Sequence, residues 1–123
     1  MDVLSSQLAD LQRRHAGAHF VAQAGGAYLL VVPDVPLDRG WSLTSTTITV
    51  LIPAGFPHVK PDCFYADPAL RLATGFEPAA SNLQSVFGRQ FRWFSWHIAT
   101  WHPTSGSLDQ YMHVCESRLK EIR

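Results

Sequence analysis

The stretch Ile48–Tyr65, "ITVLIPAGFPHVKPDCFY", decides how the chain is read. Ile48, Val50 and Ile52 alternate with Thr47, Thr49 and Leu51, the period-two pattern of a strand, and Thr46 to Ile52 is expected to be central in its sheet. The pattern stops at Pro53. From there to Pro68, four prolines fall in sixteen positions, at 53, 57, 61 and 68. Proline has no backbone N–H and fixes φ, so the segment must be extended, turned or at a sheet edge. A further short strand, Asp62 to Tyr65, is expected beyond the elbow, and it carries Cys63.

Upstream, Leu4, Leu8 and Leu11 recur at helical spacing, with Gln12, Arg13 and Arg14 off the stripe, which predicts a first amphipathic helix from Asp2 to His15 that Gly17 ends. Tyr28 to Val32 is an apolar, β-rich run halted by Pro33, and "PDVPLDRGW" reads as a loop. Downstream, residues 73 to 89 are punctuated by Gly, Ser and Asn without a sustained period and are expected to be irregular and exposed. "FRWFSWHIATWHP" holds three of the four tryptophans. Ser107 followed by Gln110 is a capping-box signal that opens a final helix, with Leu108, Tyr111, Met112, Cys115, Leu119 and Ile122 on one stripe. The order is helix, antiparallel meander, irregular aromatic region and closing helix, an α+β pattern in a single domain over residues 1–123, with no internal repeat or low-complexity tract.

Lys+Arg and Asp+Glu both number 10, so the basic footprint of a nucleic-acid binder is absent. No apolar run approaches the length of a membrane span, and the acidic, interrupted N-terminus does not resemble an export signal, so a cytoplasmic location is expected. Cys63 and Cys115 are then free thiols, and with no CxxC pair a metal site would need histidines from distant segments; none is expected. On its helical stripe, Cys115 reads as a small buried hydrophobe. His15, His19 and His113 read as surface groups.

The elbow run, with its Phe56-Pro57 pair and with Pro61 entering the next strand, is similar to a segment of ubiquitin-conjugating enzymes, and "WHPTSGSLDQYMHVCESRL" resembles that fold's Trp-x-Pro followed by a helix, here Trp101, His102 and Pro103. "LVVPDVPLDRGWSLTSTTITVLIPAGFPHVKPDCFYADPALRLATG" with "FSWHIATWHP" resembles more narrowly the bacterial family E of that superfamily, over nearly the whole chain. The resemblance implies a UBC-like fold, no cofactor of its own, and as partners a ubiquitin-like modifier and an ATP-dependent activating enzyme. The resemblance further implies a trimming metalloprotease in the same pathway, in cassettes that suggest antiphage or stress functions. It also places the activating enzyme on the first helix, where Arg13 and Arg14 would meet acidic groups.

Conjugation needs a thiolate that takes the modifier's C-terminal carbonyl and surrenders it to a nucleophile, with a donor for the oxyanion. Family members carry that cysteine upstream of Trp-x-Pro, after a His-Pro-Asn triplet. Here the corresponding residues, Arg92 to Ser95, read "RWFS", and the triplet is missing. Cys63 is therefore the candidate nucleophile and His97 its partner, as base, oxyanion donor or orienter; His102 and Asp62 rank after His97. The alternatives are a Cys63 that is a buried structural thiol, a His97 satisfied in the core, and a UBC-like adaptor that docks the activating enzyme or modifier without forming a thioester. A small hydrolase using Cys63 and His97 lacks a recognisable third residue or Gly-rich oxyanion loop.

Overall fold

The computed structural model describes residues 2–123. Helix α1 spans Val3–Leu11, capped by Asp2, whose carboxylate accepts from the Ser5 N–H at 2.7 Å. Strands β1 (His19–Ala22), β2 (Tyr28–Pro36), β3 (Ser45–Ile52), β4 (Phe64–Ala66), β5 (Ser81–Val86) and β6 (Arg89–Phe94) follow, and helix α2 (Leu108–Leu119) closes the chain. All neighbours pair antiparallel in one six-stranded sheet of order β1-β2-β3-β4-β6-β5. The expected α+β class, the inner position of the Thr46–Ile52 strand and the two terminal helices are all present.

One sheet face builds the core. Leu30 opposite Val50, Val32 opposite Ile48, and Phe64 opposite Phe94 present their side chains to Leu11 of α1 and to Leu108, Tyr111, Met112, Cys115 and Leu119 of α2. Phe64 and Phe94 stack at 4.9 Å between centroids. Leu4 and Leu8 pack on the edge of this cluster. Ser107 caps α2 as its sequence signal predicts, accepting from the Gln110 N–H at 3.0 Å.

Several expectations need correction. Residues 73 to 89 are not irregular throughout, because they contain β5 and the turn into β6. Phe87 and Gly88 both have positive φ (52° and 80°), the conformation of a tight hairpin turn, and the polar alternation of "SNLQSV" belongs to an exposed edge strand rather than to a loop. The strand at Tyr28 does not halt at Pro33. It runs to Pro36 through an irregularity between Val32 and Val35, where Asp34 takes φ 57° and the missing proline donor is tolerated. The strand expected at Asp62 starts only at Phe64, because Cys63 has φ 58° and cannot continue an extended ladder. His15 is not a surface group: its side chain is 9% exposed, and it lies beneath Glu116 with its Nε2 3.7 Å from Glu116 Oε2. The first helix is also shorter than its apolar stripe, ending at Leu11, and Ile122 lies beyond the end of α2.

Candidate active site at the proline elbow

The elbow is a braced corner. The Phe56 N–H donates to the Pro53 carbonyl and the Val59 N–H to the Gly55 carbonyl, both at 3.0 Å, so two consecutive turns fold the proline run back on itself. The Phe56–Pro57 peptide is cis. Trp101 closes the corner from 44 residues downstream: its indole N–H donates to the Pro57 carbonyl at 2.8 Å, and its ring lies 5.7 Å from that of Phe56. On its other side Trp101 uses the space left by Gly106, where a Cβ would stand 2.2 Å from the ring. The two sequence landmarks, Phe-Pro and Trp-x-Pro, are therefore halves of one packed unit.

Pro61 then turns the chain inward and delivers Asp62 and Cys63. The Cys63 carbonyl accepts from the Tyr111 hydroxyl of α2 at 2.8 Å, a buried bond that holds the residue in its sparsely populated backbone conformation. Its thiol donates toward Asp62 Oδ1 at 3.6 Å, and the same oxygen is bonded to His97 Nδ1 at 2.5 Å. Cys63 is only 6% exposed, whereas the Asp62 and His97 side chains are 69% and 56% exposed. The cluster thus has a dry sulfur under a wet carboxylate–imidazole pair. Burial pushes the Cys63 thiol above its usual acidity range and the Asp62 charge adds to that, while a hydrogen bond from the Trp96 backbone pulls the other way.

The sequence-nominated residues separate into two groups. Cys63 and His97 meet, and Asp62, ranked behind His97 in sequence, is the atom that joins them. Its only sequence signal was adjacency to the cysteine. Tyr111, read as a helix-stripe residue, also contributes a hydrogen bond to the cluster that its helical position could not announce. His102 is exposed, and its carbonyl accepts the Ser105 and Gly106 N–H groups that carry the chain from Trp101 into α2. Arg13 is exposed beside Asp10, whereas Arg14 is engaged within the chain, at 2.7 Å from Asp109 and 3.0 Å from Glu116 of α2. The three donor atoms of Asp62, Cys63 and His97 lie within 4.8 Å of one another, a spacing that also suits a small cation.

The register fixes where Cys63 lies. Phe64 pairs with Phe94 and Tyr65 with Trp93, so Cys63 lies one residue ahead of the ladder, on the side of Ser95. Cys63 therefore lies beside the Ser95 end of the "RWFS" segment.

Residues 8–122 match the family described as prokaryotic E2 family E. The chain belongs to this family. No curated protein and no solved structure matches it significantly. Membership in prokaryotic E2 family E gives the chain a ubiquitin-conjugating-like role at the level of a conjugating transferase, with a ubiquitin-like modifier and an activating enzyme as its kind of partner. None of the described helices is long and apolar enough to cross a membrane.

Proposed function

We propose that this family E protein accepts a ubiquitin-like modifier on Cys63 as a thioester and passes it to a target, in a cytoplasmic bacterial conjugation pathway that serves antiphage defence and includes a modifier-trimming metalloprotease. The observation that carries the reading is the meeting of Cys63 and His97 through Asp62, beside an elbow braced by Trp101. In the loading step, Cys63 Sγ attacks the activated C-terminal carbonyl, the thiol proton passes to Asp62 Oδ1, the S–C bond forms and the adenylate leaves. His97, bonded to the same carboxylate oxygen, orients it. In the transfer step an incoming amine attacks the thioester carbonyl, the C–N bond forms as the C–S bond breaks, and the proton the amine loses passes by way of the Asp62–His97 pair to the departing sulfur. Arg13 and the surface of α1 are the proposed contact for the activating enzyme, where rim charges act mainly on association rate.

Intact mass of the chain with activating enzyme, modifier, ATP and a zinc-selective chelator tests this directly. The wild type should gain one modifier as a reductant-labile adduct, Cys63→Ser at most a reductant-stable ester, and Cys63→Ala nothing. An unchanged adduct in Cys63→Ala overturns the assignment. One observation favours a second reading, a UBC-like adaptor that docks the activating enzyme or modifier without a thioester: the sulfur is nearly closed off and its acidity is weakened by burial. Direct binding of the activating enzyme without any adduct on the wild type selects the adaptor.

A further inference from the structure

We infer that Asp62, Cys63 and His97 form a reversible zinc site, through which the metal withdraws the Cys63 sulfur from chemistry. A thiol, an imidazole and a carboxylate converge here from two segments 35 residues apart in sequence, with their donor atoms within 4.8 Å of one another. This is a mixed S/N/O set that suits zinc, not the all-oxygen shell that magnesium and calcium require. With zinc–ligand bonds of about 2.0–2.3 Å, the edges of a tetrahedron are roughly 3.3–3.7 Å long. Cys63 Sγ and Asp62 Oδ1 already stand 3.6 Å apart. The His97–Asp62 edge is shorter because a hydrogen bond spans it, and both side chains are exposed enough to open by the roughly 1 Å that a metal needs.

The remaining features fit a site with one open position. Cys63 is held in its unusual backbone conformation by the Tyr111 hydroxyl, so the sulfur is positioned before any metal arrives. The exposed side of Asp62 and His97 leaves the fourth position to water. Binding is a ligand exchange without redox change: zinc gives up bound waters, the S–H bond breaks as the S–Zn bond forms with that proton leaving to solvent, and the proton that His97 Nδ1 shares with Asp62 leaves that nitrogen as the N–Zn bond forms. The ligand set alone supports the metal site; only the consequence that zinc blocks modifier loading rests on the thioester reading above.

The test uses the full chain and zinc or cobalt alone, with no activating enzyme, so its failure is separate from failure of thioester formation. Cobalt should bind one equivalent with a thiolate-to-cobalt charge-transfer band, and zinc should displace it. One equivalent of zinc should slow alkylation of Cys63 without affecting Cys115. His97→Ala should weaken binding by at least about tenfold and Cys63→Ser should abolish the band, while Cys115→Ser leaves both intact. Asp62→Asn, which keeps the side-chain shape, should also weaken binding and guards against misfolding of the other variants. Binding that survives Cys63→Ser, or cobalt binding without a charge-transfer band in the wild type, overturns the site.

Discussion

The two cysteines occupy opposite kinds of environment. Cys115 lies on the inner stripe of α2, fully buried among Leu108, Met112 and Leu119, and burial holds its thiol well above the ordinary range. Cys63 is nearly as inaccessible, but it stands where a proline-bent loop meets a three-residue strand, with positive φ, one hydrogen bond from α2 and two exposed polar neighbours. Burial alone therefore does not separate a structural thiol from a candidate nucleophile. The neighbours do: Cys115 can be uncovered only by moving a helix, Cys63 by moving a loop corner.

The sharpest way to break this contrast is alkylation kinetics in the folded protein. Cys115 should react only through global unfolding and Cys63 through local opening, so the rates should differ by at least about 100-fold. Equal rates would place both thiols in one cooperative unit. Next in size is Tyr111→Phe, which removes the donor to the Cys63 carbonyl while keeping the ring in the core. Leaving that buried carbonyl unpaired should lower stability by about 1–3 kcal/mol in denaturant unfolding and speed Cys63 alkylation more than Cys115 alkylation. If both thiols accelerate alike, Tyr111 supports α2 rather than the corner.

A pH series sharpens the same comparison. Both thiols have their acidity weakened in the folded chain, so above the ordinary thiol pKa the unfolded chain loses protons that the folded chain keeps. Stability from this source is complete below about pH 8.5 and is lost progressively as pH rises above it. Cys115→Ala should remove its share of the fall between pH 8.5 and 9.5, and an unchanged slope would contradict its dry environment. The smallest effect belongs to Arg14, whose ion pairs with Asp109 and Glu116 join α1 to α2 but are about a third exposed. Arg14→Ala should lower stability by no more than about 1 kcal/mol, with the loss shrinking in salt.

Much of the frame was legible because it rests on local periodicity. Ile48, Val50 and Ile52 announce an inner strand, and the stripe from Leu108 to Leu119 with Ser107 before it announces a capped helix. The β5–β6 hairpin was missed because its edge strand is polar and its turn, Phe87-Gly88, lacks the asparagine or aspartate that marks most such turns. Strand β1 was missed because four residues carry too little pattern to register.

The site divides along the same line. By itself the sequence determined that a cysteine follows a rigid proline elbow and that a Trp-x-Pro landmark lies downstream, since fixed φ angles and residue order are properties of the chain alone. Only the tertiary structure decided that Trp101 braces Pro57, that Asp62 links Cys63 to His97, and that Arg14 turns to α2 instead of outward. Apart from the contact between the neighbours Asp62 and Cys63, these are hydrogen bonds and ion pairs between residues 35 to 102 positions apart. Their geometry depends on strand register and helix packing, which no local pattern encodes.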